Sequence, residues 1–120
     1  MANILTVDDS ASIRQLVANT LSGDKHRVAA ADSGLTGLEE ARKARFDLVI
    51  TDVNMPEMDG LTFVRKLREL PTYRTVPILV LTTEMDPAKK KIAKDAGATG
   101  WLVKPFDPGQ LLATVRKVLD

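Results

Sequence analysis

A few side chains in this sequence have types and positions that could do chemistry together. They are Asp8 and Asp9 in "LTVDDSASIR", Asp52 in "ITDVNMPEMDG", Thr82 and Thr83 in "VLTTE", and Lys104 in "WLVKPF". Adjacent carboxylates repel and raise one another's pKa unless a cation or basic group lies close. A hard divalent cation resolves that conflict: Mg²⁺ typically takes one or two carboxylates, some waters and a phosphate oxygen. A lysine ammonium is a compact charge suited to one phosphoryl oxygen, and a threonine hydroxyl can donate to another. Groups built to hold a nucleotide are missing, since no GxxxxGK[ST] occurs and no GxGxxG follows the first apolar run. The chemistry left open is an Asp acting as nucleophile towards phosphorus, giving an aspartyl phosphate, with Asp8 and Asp9 holding a metal.

Each residue alone has a plainer reading. An Asp ahead of a helix is often its N-cap, a Thr at a strand end is often structural, and a lone Lys is often a solvated charge. The argument therefore rests on convergence, and convergence depends on the elements that carry these residues. Apolar runs at 3–7, 27–31, 47–51, 77–82 and 99–103 predict strands. Between them lie helical patterns. Ile13, Leu16, Val17 and Leu21 form a stripe closed by Gly23. Residues 33–44 open on Ser33, with Asp32-Ser33 read as a cap. Phe63, Val64, Leu67 and Leu70 stop at Pro71. Residues 86–97 have Asp86 as N-cap, Pro87 at the first helical position and Gly97 at the end. The last pattern carries Leu111, Leu112, Val115, Val118 and Leu119 on one face, a core stripe in the first instance.

Runs such as "LVI" and "ILVL" do not alternate, as expected of strands buried on both faces of a parallel sheet. Strict strand–helix alternation with short connections predicts a doubly wound α/β domain of five units. In such sheets ligands bind beyond the carboxyl ends of the strands, which is where these acids, hydroxyls and lysine fall.

Composition narrows the class further. A chain of 120 residues, 44% hydrophobic and 28% charged, is one domain's worth and can bury a real core. With 17 basic and 16 acidic residues, there is no basic excess of the kind nucleic-acid or membrane-surface binding needs. Cys is absent, which removes disulfides, thiolate metal sites and thiol nucleophiles. Neither a membrane-spanning run nor a signal-peptide pattern is present. His26 has no partner at metal-ligand spacing, and Lys89-Lys90-Lys91 reads as a solvated helix face.

From "ILTVDDS" through "DVNMPEMDG" and "LTTE" to "GATGWLVKPF", the whole chain resembles the receiver domains of two-component response regulators, and among them the stand-alone, CheY-type chemotaxis branch. The resemblance implies a flavodoxin-like sheet of strand order 2-1-3-4-5 and a single receiver domain over residues 1–120. It also implies roles. Asp52 matches the phosphoacceptor and contributes to the metal site. Asp9 matches the acid that ligates Mg²⁺ directly, Asp8 one that acts mainly through water, and Asn54 the position whose backbone carbonyl completes the site. Thr82 matches the switch hydroxyl, Lys104 the lysine that pairs with the phosphoryl group, and Pro105 a proline preceded by a cis bond. Trp101 stands where the family usually has Tyr or Phe, the aromatic that turns inward on activation.

The implied function is a phosphorylation-dependent switch that catalyses only its own phosphorylation and dephosphorylation, with Mg²⁺ as cofactor. A histidine kinase of CheA type would supply the phosphoryl group. The surface of helix 4, strand 5 and helix 5, including the lysine run and Trp101, would then bind a flagellar motor switch protein. A cytoplasmic monomer is expected, and because the sequence stops at Asp120, just after the fifth helix, no output domain is expected to follow. A phosphorelay intermediate bound to a phosphotransfer protein, or a phosphate sink, is the alternative within this reading. A phosphatase of haloacid dehalogenase type would need D-x-D after the first strand, where this chain has adjacent acids. A flavodoxin-like cofactor carrier would need a hydroxyl- and glycine-rich loop there.

Overall fold

Each apolar run becomes a strand of one parallel sheet in a computed structural model that describes residues 2–55, 57–83 and 87–119. The strands are β1 (Asn3–Val7), β2 (Arg27–Ala31), β3 (Leu48–Asp52), β4 (Ile78–Thr82) and β5 (Gly100–Val103). Their order across the sheet is β2-β1-β3-β4-β5, with every pair parallel. Five helices connect or follow them: α1 (Ala11–Gly23), α2 (Gly34–Lys43), α3 (Gly60–Glu69), α4 (Pro87–Ala96) and α5 (Pro108–Leu119). This is the flavodoxin-like α/β fold. No helix among the described residues is long and apolar enough to cross a membrane.

The element ends have local causes. Ser10 caps α1 by accepting from the Ile13 N–H, so neither Asp8 nor Asp9 is the cap. Ser33 caps α2, as read from the sequence; the structure adds a reciprocal box with Thr36, whose hydroxyl also donates to Asp32. Asp59 caps α3 through the Thr62 N–H. The Asp86 cap lies outside the described residues. Gly97 ends α4 at φ +114°, a left-handed conformation that glycine adopts without strain. β4 starts one residue later than the apolar run because Pro77 has no N–H to give to the ladder. A short 3₁₀ turn at Pro71–Tyr73, not foreseen from the sequence, buries the Tyr73 ring.

Side chains alternate along each strand, and paired residues of parallel strands share a face. Leu5, Val7, Val49, Ile78 and Val80 pack against Leu38 of α2, Phe63 and Leu67 of α3, and Ala93 of α4. Ile4, Leu48, Ile50, Leu79 and Leu81 pack against Val17 and Leu21 of α1 and Leu111 and Val115 of α5. The α5 stripe is therefore core, with Leu112, Val118 and Leu119 partly buried at its rim. Each fully buried Leu, Ile or Phe contributes about 1.5–3 kcal/mol. Two such layers fix the sheet independently of the polar groups at its edge.

Candidate functional site

The strand register brings the chemical residues together. Val7 pairs with Thr51, Asp52 with Leu81 and Thr82 with Val103, so Asp8 and Lys104 are the next residues along β1 and β5. Asp8, Asp9 and Asp52 each offer an oxygen within 4.8 Å of the others. Asp8 is 0% and Asp52 6% exposed, so two of the three acids are taken from water. Asp9 is exposed.

Lys104 provides the compensation. Its Nζ lies 3.0 Å from Asp52 Oδ1 and 3.3 Å from Asp8 Oδ2, so one ammonium serves both buried acids. Burial pushes the Asp8 carboxyl above its ordinary pKa; the Ser10 N–H on Oδ1, at 2.9 Å, opposes that rise and the Asp52 charge adds to it. Burial works against the Lys104 ammonium too, but the hydrogen bond and charge of Asp52, and then those of Asp8, outweigh it and raise its pKa. Two further contacts shape the edge. Arg14 Nη1 donates to the Asp8 carbonyl oxygen at 2.6 Å. Gly60, the first residue of α3, donates its N–H to the Val53 carbonyl at 2.8 Å. A Cβ at Gly60 would overlap the Asp52 carbonyl oxygen, so only glycine lets α3 start this close to the end of β3.

The other sequence-predicted residues fall nearby. Thr82 is buried at the end of β4, while Thr83 and Asn54 are exposed; all three line a hollow of about 160 Å³ with Lys89, Ile92 and Ala93. Thr82 shares its sheet face with Val80 and hence with Trp101, which pairs with Val80. Trp101 is half-buried, with the Lys90 ammonium 5.5 Å from its ring centroid. The Lys104–Pro105 peptide is cis. His26 is a structural group: its Nδ1 accepts from the Ala2 N–H, and its Nε2 lies 3.6 Å from Asp24 Oδ2. Glu84 and Pro56, in two of the quoted motifs, lie outside the described residues.

Ser10, Arg14 and Gly60 hold the site and were not singled out from the sequence. For Gly60 the "DG" pair at a helix start was a usable signal. Arg14 carried none, because its partner is a backbone carbonyl.

The family model of the response regulator receiver domain matches residues 4–116. The chain belongs to the response regulator receiver domain family. Its relatives include the KDP operon transcriptional regulatory protein KdpE of Escherichia coli K12, 40% identical over 99% of this chain but only 52% of that protein. The chemotaxis protein CheY1 of Helicobacter pylori is 38% identical, covering 97% of this chain and 95% of that protein. Among solved structures, the chemotaxis response regulator CheY4 of Vibrio cholerae superposes with a TM-score of 0.96 at 52% identity, covering 98% of both chains. The receiver domain thus spans about half of one curated relative and nearly all of another. In this receiver domain, three hard oxygen donors within 4.8 Å fit a small divalent cation such as Mg²⁺.

Proposed function

We propose that this receiver accepts a phosphoryl group on Asp52 from a histidine kinase and in response changes the surface formed by α4, β5 and α5. The observation that carries the reading is the single Lys104 ammonium between Asp52 and Asp8, with Asp9 beside them. An Asp52 carboxylate oxygen attacks phosphorus, a new O–P bond forms, and the donor's bond to phosphorus breaks with the electron pair leaving on the donor. Lys104 meets one phosphoryl oxygen and the Thr82 hydroxyl another, each as a hydrogen-bond donor. Asp9, Asp52 and the Asn54 carbonyl would hold Mg²⁺, with Asp8 acting mainly through water, and the bound ion would supply charge neutralisation for the transferring group. The acid–lysine set acts on this one bond to Asp52 and its later hydrolysis, so the protein is a switch and not a turnover enzyme.

The target surface carries exposed Ile92 (46%) and Val103 (44%) beside Trp101 and the α4 lysines. Two relatives of nearly this length are chemotaxis proteins, which supports a chemotaxis target such as a flagellar motor switch protein. The test is labelling by acetyl phosphate with Mg²⁺. Wild type is expected to take up one phosphoryl group and lose it slowly, whereas Asp52→Asn remains unlabelled and folded. Full labelling of Asp52→Asn removes Asp52 from the mechanism.

A further inference from the structure

We infer that Arg14 is a positioning residue of the acid cluster: its guanidinium clamps the Asp8–Asp9 peptide and so sets where both carboxylates sit. The inference rests on the metal-site reading above. Every hydrogen-bonding group of Asp8 is engaged in a different direction. Its N–H donates to the Ala31 carbonyl on β2 at 3.1 Å, Oδ1 accepts from the Ser10 N–H at 2.9 Å, and Oδ2 meets Lys104 at 3.3 Å. The remaining group is the carbonyl oxygen, and Arg14 Nη1 takes it at 2.6 Å. A peptide unit is planar and trans, so fixing the Asp8 carbonyl also fixes the Asp9 N–H and the direction in which Asp9 leaves β1. Asp9 needs that constraint, because its exposed carboxylate makes no hydrogen bond or ion pair among the described residues.

Arg14 had other partners to choose from. Asp32 and Glu40 line the same surface hollow, yet neither forms an ion pair with it among the described residues. A surface arginine placed for charge alone would meet a carboxylate; this one, half-buried on the first turns of α1, reaches a neutral carbonyl instead. Groups that orient metal ligands typically change metal affinity by about 10–100-fold when removed.

The sign of the effect separates positioning from charge. Taking a cation away from beside an acid cluster tightens Mg²⁺ binding by Coulomb's law, whereas loosening the Asp8–Asp9 peptide weakens it. Mg²⁺ affinity would be measured by calorimetry on wild type, Arg14→Met and Arg14→Lys, with thermal unfolding of the metal-free proteins alongside. Arg14→Met is expected to bind Mg²⁺ about tenfold more weakly. Arg14→Lys, which keeps a donor on a flexible stem, should recover most of that loss, and all three should melt cooperatively. Unchanged or tighter Mg²⁺ binding by Arg14→Met overturns the inference. So does equal weakening in both variants, which would mean that the lysine donor does not restore the clamp. Wild type that binds no Mg²⁺ overturns the metal-site reading itself, a different result from any of these.

Discussion

Lys104 compensates two buried acids at once, and that makes its removal costly even before any ligand is considered. Breaking a buried ion pair by deleting one partner leaves uncompensated charge and costs about 3–5 kcal/mol when burial is complete. The Lys104 side chain is 16% exposed, so a smaller loss of about 1–3 kcal/mol is expected for Lys104→Ala in chelator. Added Mg²⁺, a replacement counter-charge, should recover most of it. Urea unfolding with and without Mg²⁺ is the check, and an Mg²⁺-independent deficit would mean that Lys104 stabilises through packing alone. Thr6 poses the opposite case. Its hydroxyl is fully buried in β1 and makes no hydrogen bond among the described residues. Valine has nearly the same shape without the unpaired polar atom, so Thr6→Val should raise stability by about 1 kcal/mol. A loss of stability of similar size would show that the hydroxyl has a partner in solution.

Between elements, the joints are made by a few long side chains that reach across to backbone carbonyls. Arg68 of α3 donates to Gly97, Tyr73 and Val76 carbonyls, tying α3 to the ends of α4 and of the 3₁₀ turn. The Tyr73 hydroxyl lies 2.8 Å from both the Ala41 and the Ala44 carbonyl, at the end of α2, and accepts from the Phe46 N–H. Tyr73→Phe strands those buried groups and should cost about 1–3 kcal/mol at neutral pH. Burial also raises the Tyr73 pKa above 10.0. A raised folded-state pKa favours folding below the unfolded value and loses that advantage as pH climbs through the folded value. Wild type therefore loses, above pH 10, a contribution that the Phe variant never had, and the gap between them should narrow. Denaturant melts at pH 7 and pH 11 measure it; a constant gap would contradict the burial of the phenol.

Across the whole molecule, the acid cluster and the proposed target surface of α4, β5 and α5 are joined through the β4–β5 edge. Lys104 follows β5 directly and donates its backbone N–H to the Thr82 carbonyl at 2.7 Å, and Trp101 lies three residues upstream. A ligand shifts a two-state equilibrium only through contacts that differ between the states. Lys104→Ala should therefore show a smaller change in Trp101 fluorescence than wild type on addition of Mg²⁺ and beryllofluoride, at ligand concentrations that saturate both. Trp101 is the single tryptophan, so the signal is unambiguous. A full wild-type change in the variant would remove Lys104 from the coupling.

The order of strands and helices was legible in the sequence because burial on both sheet faces writes unbroken apolar runs, and helix packing writes a 3.6-residue stripe. Ser33 and Gly97 were legible as well, since a cap or a left-handed stop is decided within a few residues. The strand ends then put Asp8, Asp9, Asp52, Thr82 and Lys104 on one edge by topology alone. Which of three adjacent cap-forming residues closes α1 was not legible. The bond from the Asp8 N–H to the Ala31 carbonyl, just past the end of β1, holds Asp8 to the neighbouring strand and leaves the cap to Ser10. Nor was the sharing of one ammonium by Asp8 and Asp52, the seat of Gly60 on the Asp52 carbonyl, or the reach of Arg14 to a main-chain oxygen. These are contacts between residues whose distance in space is set by sheet register and helix docking. Local propensity and periodicity say nothing about such distances, so the tertiary structure alone decided them.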